Sequence, residues 1–429
     1  YQSKTGVKIK WADSKPTSGS TADVSEWFIN RINGDNCPAI GFSWGTRFQE
    51  RDCYVDLTEY LEQPNPYVEG NKKWKDLFYD YLWDDYEISD ASGKIVAIPI
   101  TLNPGTPTAI YYNKDLFEAN GLSEPKNWEE YGVLIERLQN LGKTAIVPWG
   151  NNKSAGLDQW VFEYSLSPMF AKKLLLDGVS DYDKDGKVST IEEIRGVLEG
   201  VYDPTQQVYA KVLYSLAKDY YQNTLPTGWQ TTDYTEKWNA GNIGMMENGL
   251  WNIQTENNKT VDVRSFEFGL FAPAMVDSAT SSYAADFSSK KITEINSRPS
   301  LMLNIMKPAV ENNPELLAQA VDFLMWLTVP DNITMIVEEH GGSLGAVKGT
   351  SYSSLLNDWM KKDFAEMPSC KWPLGLTTAQ TSTINRSFQQ WVNNKITDEE
   401  FYTAINNAQR AGANELVKGL KLDTSGWNI

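Results

Sequence analysis

The sequence predicts an α/β protein built as two lobes. Three observations carry this prediction. Segments with the period-two alternation of strands take turns along the chain with segments bearing the apolar stripe of amphipathic helices. The 429 residues exceed what one simple core serves and suffice for two domains of ordinary size. Apolar residues make up 41% and aromatics 12%, a globular balance that excludes disorder as the main state.

Taken in order, the elements place the candidate loops. Residues 7–11 alternate, with Val7, Ile9 and Trp11 on one side, and read as a strand. Residues 22–32 read as a helix and 38–42 as a second strand, which runs into the polar, aromatic loop 43–47. Ligands of open α/β sheets sit beyond the carboxyl ends of strands, where loops converge on a rigid base, so Trp44 and Arg47 fall where a ligand is expected. A helix opens at Asn127, where Glu130 completes a capping-box-like start. Tyr131, Leu134, Ile135 and Leu138 form its stripe, and Gly142 stops it. Another begins beyond Pro314, with Leu317, Ala320, Val321, Leu324 and Leu327 on one face and Pro330 after it. A last helix opens at Thr397, with Glu400 three positions on. These stripes are core, and Trp27, Trp128, Trp160, Trp326 and Trp391 fall on helices, where packing is the expected role. No internal repeat, low-complexity tract or long polar linker interrupts the chain, so short crossings are expected to join the lobes.

Acidic residues outnumber basic ones by 56 to 39, giving a formal charge of −17 and a pI near 4.7. Such a field repels phosphate backbones and anionic headgroups, which argues against nucleic acid as a partner. No run approaches the roughly 20 apolar residues that span a bilayer. The opening Tyr1-Gln2-Ser3-Lys4 lacks the basic-then-apolar layout of a signal peptide, and a soluble chain with any leader already removed is expected. Cys37, Cys53 and Cys370 cannot make a disulfide framework and lack the spacing of a zinc site; Cys37 and Cys53 either pair, in an exported protein, or stay as buried thiols. His340 is the only imidazole, so a Ser-His-Asp or Cys-His arrangement would rest on it alone, and a surface or hinge histidine is the better reading.

From Gly93 onward the chain resembles a known family. Gly93-Lys94-Ile95-Val96-Ala97-Ile98-Pro99, then Ile110-Tyr111-Tyr112-Asn113-Lys114-Asp115-Leu116-Phe117, then Gly121-Leu122, Pro125 and Trp128 closely resemble the family 1 extracellular solute-binding proteins, the group that includes maltose-binding protein. Further matches follow at 238–251, at 268–273 and from the helix after Pro314 to Val347, so that the resemblance covers nearly the whole chain. It implies a periplasmic-binding-protein-like fold: two α/β lobes joined by a hinge, with the ligand cleft between them. By matching segments, about three crossings are expected, near Thr106 to Ile110, near Arg298 to Leu301 and near Val337 to His340. The lobes would be 1–105 with 302–336, and 106–301 with 337–429. Family members usually begin with a strand and a helix before the segment resembling Gly6 to Trp11; here that strand and most of that helix are missing, so either further residues lie upstream of Tyr1 or the first lobe is completed differently. The resemblance further implies an extracytoplasmic receptor, periplasmic or held at the cell surface as a lipoprotein. Such a receptor is expected to be a monomer that delivers an oligosaccharide to the transmembrane permease subunits of an ABC transporter.

A pyranose ring offers an apolar face of C–H groups and a rim of hydroxyls, so its receptor needs flat aromatic surfaces beside planar polar side chains. Trp251 is the first candidate. It ends the run Gly244-Met245-Met246-Glu247-Asn248-Gly249-Leu250-Trp251, and the equivalent tryptophan of maltose-binding protein-like members stacks on ligand. Trp44 and Arg47 come next, then Trp149, which follows Pro148 and precedes the polar Gly150-Asn151-Asn152. Trp372 lies where the family often adds an aromatic, and Glu247 and Asp286 are candidate hydroxyl acceptors.

The segment 181–192 fits the 12-residue EF-hand-like calcium pattern at each diagnostic position. Asp181, Asp183 and Asp185 would supply carboxylates, Lys187 its carbonyl, Ser189 a direct or water-bridged ligand and Glu192 two oxygens, while Gly186 makes the turn. One copy without a pairing partner argues for a structural Ca2+ rather than a sensor.

The favoured reading is capture by hinge closure, with no covalent chemistry. A micromolar dissociation constant, about −8 kcal/mol, is within reach of two or three stacked aromatics and several charge-assisted hydrogen bonds. A secreted glycoside hydrolase is the alternative, since carbohydrate enzymes are also rich in tryptophan and dockerin modules carry similar calcium loops, though in pairs. A second alternative keeps the receptor and changes the ligand to an anionic sugar or a non-carbohydrate solute, with Arg47 and Arg298 as the cations.

Overall fold

The computed structural model describes residues 1–429 except 13–20, 35, 43–51, 86–87, 91, 149–155, 158–159, 230–231, 294–296, 366–367 and 369. Contacts divide the chain into two units, and both mix helices with sheet. The first holds Tyr1–Pro107, Leu250–Asn257 and Lys291–Lys362, and the second Thr108–Gly249, Asn258–Lys290 and Asp363–Ile429.

The first unit carries two small antiparallel sheets. In one, Met302–Ile305 lies between Ile40–Phe42 and Ile98–Pro99, with Gly41 opposite Asn304 and Leu303 opposite Ile98. In the other, Thr101–Asn103 lies between Leu344–Gly345 and Arg298–Pro299. The helix Thr21–Asn33, expected at 22–32, lays Phe28 on Gly41 so closely that a Cβ there would come within 2.9 Å of the ring. Phe28, Cys53, Tyr54, Val96 and Met306 form the surrounding cluster. Cys37 packs against it, and Cys37 and Cys53 are thiols rather than a disulfide. Burial first, then the neighbouring Cys53, pushes the Cys37 thiol up to about 11, so it stays protonated near neutral pH.

The helix expected after Pro314 spans Pro314–Leu327, with Asn313 accepting the Leu316 N–H at its start, and Pro330–His340 follows it after a 72° bend. No single helix among the described residues is long and apolar enough to cross a bilayer.

Residues 7–11 depart from expectation. They form no strand, and Trp11 is 84% exposed. Alternation makes a strand only where a neighbouring ladder takes up the backbone; here the Val7 and Ile9 N–H groups donate instead to Thr5 Oγ1 and Gln2 Oε1.

Residues 337–362, assigned from the resemblance to the second lobe, pack with the first unit. The Ala346 N–H donates to the Ile100 carbonyl, the Lys348 N–H to that of Leu77, and the Trp359 indole to that of Pro104 at 2.9 Å. Arg298–Leu301 likewise lies inside the first unit, and the chain passes between units after Pro107, Gly249, Asn257, Lys290 and Lys362.

The second unit is organised on a four-stranded sheet in the order Thr144–Val147, Ile243–Gly249, Thr108–Asn113, Phe268–Phe271. The first pair is parallel and the other two antiparallel. Every residue of Ile243–Gly249 is buried, as befits an inner strand covered on both faces. The expected helix at Asn127 is Trp128–Asn140, whose N-cap accepts the Glu130 N–H. Its Leu138 lies where a Cβ on Gly244 would come within 2.8 Å, so that glycine lets helix and sheet approach. The last helix, Asp398–Leu420, opens with a full capping box between Thr397 and Glu400, and its Phe401 stacks on Trp391 at 4.0 Å between centroids.

Candidate functional site

Within the first unit, one turn presents an aromatic to solvent. Leu250–Asn252 forms a single 3₁₀ turn that leads into the short helix Ile253–Asn257. Leu250 anchors the turn: its side chain is fully buried and its N–H donates to the Pro107 carbonyl at 3.0 Å. Trp251, next along, is 38% exposed. The half-buried amides of Asn252 and Gln254 follow within three residues, the latter with its oxygen toward Gly341; neither was among the sequence candidates. A pyranose demands an indole face together with planar amides, and this short stretch of sequence supplies both residue types.

The turn is held from behind by a second one. Pro330–His340 ends at Gly341, whose φ of 81° is the left-handed conformation that glycine accepts without strain. Gly342 then lies against the backbone of Leu250 and Trp251. His340 belongs to this support: its Nδ1 is 3.1 Å from Ser343 Oγ, and burial lowers its pKa, which keeps the ring neutral. Ser343 is 2% exposed and offers no nucleophile to solvent.

The other sequence candidates fall elsewhere. Trp44, Arg47 and Trp149 lie outside the described residues. Trp372 is 4% exposed in the core of the second unit, its indole N–H donating to Tyr214 Oη at 3.0 Å and its ring among those of Tyr202, Tyr209 and Tyr214. That position leaves no ring face for a sugar. Glu247 sits in the middle of Ile243–Gly249, 4% exposed, beside a cavity of about 10 Å³ that it shares with Val161, Tyr220 and Tyr221. Such a space admits roughly one water molecule and no sugar. Burial pushes the Glu247 carboxyl up to about 8 against the opposing pull of the Val161 N–H. Glu247 is thus a neutral core acid rather than an exposed acceptor of sugar hydroxyls. Asp286 is exposed; it accepts from the Ser278 hydroxyl, and its carbonyl accepts from Lys172 Nζ. Arg298 is exposed at a sheet edge in the first unit, opposite Asn103.

A separate constellation occupies the loop 181–192 of the second unit, between the helices Pro168–Leu176 and Thr190–Leu198. Lys184 and Gly186 take left-handed conformations, φ 63° and 82°, and curl the loop tightly. One carboxylate oxygen from each of Asp181, Asp183 and Asp185 lies within 4.8 Å of the others. Glu192 stands apart from these three. Its Oε1 accepts the Tyr182 and Asp183 N–H groups, and its Oε2 accepts the Ser189 N–H and hydroxyl, closing a capping box on the following helix. Burial raises the Glu192 carboxyl, yet these donors outweigh burial and hold it below the ordinary carboxylate value.

Comparison with known proteins matches residues 1–368 to the family described as bacterial extracellular solute-binding protein. Proteins of Brucella abortus and Brucella suis, described by name only as binding proteins, are 24% identical over 261 residues, covering 57% of this chain. The match covers 55% of those proteins, so it spans about half the length of these curated relatives. Among solved structures, a chitin oligosaccharide binding protein aligns with a TM-score of 0.59 at 17% identity, over 91% of this chain and 88% of that one. The solute-binding protein RafE in complex with raffinose gives 0.58 at 17%, over 91% and 89%. A family 1 extracellular solute-binding protein from Bifidobacterium longum subsp. infantis gives 0.52 at 17%, over 92% and 90%. At such identities these likenesses establish the fold, the two-lobed α/β class that the sequence predicts.

Proposed function

Because the chain belongs to the bacterial extracellular solute-binding proteins, we propose that it captures an oligosaccharide outside the cytoplasm and hands it to the transmembrane subunits of an ABC importer. The observation that carries this reading is the Trp251 turn: an exposed indole on a rigid base, followed by planar amides. The structural relatives named for chitin oligosaccharide and raffinose support a sugar over other solutes. In this reading the chain works as a monomer, free in the periplasm or held at the cell surface by a lipid anchor.

The receptor grips the sugar and leaves its bonds intact. Glu247, whose raised pKa would suit a general acid, is sealed in the core of its sheet and reaches no glycan. Binding is therefore assigned to stacking on Trp251 and to hydrogen bonds from neutral amides, which both donate and accept.

Titration calorimetry against a panel of oligosaccharides, with Trp251→Ala beside the wild type, tests the proposal. At least one oligosaccharide should bind with micromolar affinity and be recovered unshortened by chromatography. Absence of binding across the panel, or the appearance of shortened products, overturns it.

A further inference from the structure

We propose that the loop 181–192 holds one calcium ion, bound by Asp181, Asp183 and Asp185 and stabilising the second unit. The inference rests on two independent observations. Three carboxylates point one oxygen each into a space less than 4.8 Å across. Like charges this close repel by about 1 kcal/mol per pair even in bulk water, and by more where solvent is partly excluded. In addition, Asp181 is only 8% exposed, and among the described residues no donor reaches its Oδ1, although its Oδ2 accepts the Gly186 N–H at 3.0 Å. A buried carboxylate oxygen without a hydrogen bond is costly, and a cation among the three aspartates removes that cost and the repulsion together.

The donor set selects the ion. All the candidate atoms are hard oxygens, with no imidazole or thiolate among them, which favours calcium or magnesium over zinc or copper. A curled loop with further carbonyl oxygens, that of Lys187 first, suits the six to eight ligands of calcium better than the compact octahedron of magnesium. Glu192 acts as a positioning residue, because recruiting it would strip four donors from its carboxylate.

The loop is tied into the rest of its unit. The Arg195 guanidinium lies 4.0 Å over the Tyr182 ring and pairs with Glu199 at 2.8 Å, and Glu199 accepts the Asn428 N–H near the end of the chain. An ion that fixes Asp181 and Asp183 therefore braces the flanking tyrosine and, through it, the helix Thr190–Leu198.

The test uses the whole chain after chelation and desalting. Calcium chloride should produce a saturable calorimetric signal with a stoichiometry of one, a melting temperature higher by several degrees, and terbium luminescence sensitised through Tyr182. Magnesium should bind at least 10-fold more weakly. Asp181→Asn should abolish the thermal shift and weaken calcium at least 100-fold. Asp183→Asn, at an exposed position, should do the same while melting like the chelated wild type, which separates metal loss from misfolding. Absence of calcium binding at millimolar concentration, or unchanged affinity in Asp183→Asn, overturns the proposal. Oligosaccharide binding by the chelated protein is measured in parallel, so that failure of the ion site and failure of the receptor reading are told apart.

Discussion

Gly342 and Leu250 touch backbone to backbone: a Cβ built on Gly342 would lie 2.0 Å from the Leu250 carbonyl oxygen and 3.0 Å from the Trp251 nitrogen. Backbone cannot swing aside as a side-chain tip does, so only glycine fits there without moving the turn that carries the exposed indole.

Gly342→Ala is accordingly expected to destabilise the protein by about 1–3 kcal/mol, the usual cost of overpacking, and to weaken sugar binding by shifting Trp251. Urea denaturation followed by fluorescence measures the first effect and calorimetry the second. A variant with wild-type stability and affinity would contradict the contact.

Two tryptophans should separate function from packing. Trp251→Ala, at a surface turn, is expected to change stability by less than about 0.5 kcal/mol and to weaken the sugar roughly 10-fold or more, as loss of a stacked ring implies. Trp372→Ala should cost about 3–5 kcal/mol of stability and affect sugar binding only through the population that unfolds. Paired denaturation and binding curves decide; the reverse pattern would move the ligand to Trp372.

Glu247 makes stability depend on pH. Its folded carboxyl titrates at about 8, above the ordinary 4.5, so the folded state holds a proton that the unfolded chain releases. The sign follows: this contribution is fully present below pH 4.5 and is lost as pH rises toward and through about 8. The slope is at most about 1.4 kcal/mol per pH unit. Glu247→Gln, which copies the neutral acid, should flatten the curve between these limits, and parallel curves for the two proteins would refute the assignment.

The capping box at Thr397 is open to a simple check. Thr397 Oγ1 accepts the Glu400 N–H, and the Glu400 carboxylate accepts the Thr397 N–H at 2.7 Å. Thr397→Ala should lower the melting temperature by a few degrees, read by calorimetry, without affecting sugar or calcium affinity.

Much of the fold was legible because helices advertise themselves locally. The caps at Asn127 and Thr397 and the proline at 314 lie within a few residues of the stripes they introduce, and all three helices form as read. The turn that carries Trp251 was legible for the same reason, since Gly249 ends an apolar strand just before it. Trp372 was not, because its burial depends on Tyr214, 158 residues away, and its local setting of lysine, proline and glycine resembles a surface loop. Glu247 misled for a related reason. In a strand buried at every position no face is polar, so a carboxylate that looks available in sequence is enclosed by neighbours distant in the chain, such as Val161, Tyr220 and Tyr221. Residues 7–11 show the converse, an alternating pattern whose hydrogen bonds stay local.

Each unit is stitched from three stretches of chain, with Leu250–Asn257 and Lys291–Lys362 returning to the one that contains residue 1. During synthesis from the N-terminus, that unit lacks its full set of strands until residue 345 has emerged, by which time most of its companion has been made. Completion of that unit is thus deferred to the later part of translation, because its last strand pairs with residues made more than 200 positions earlier.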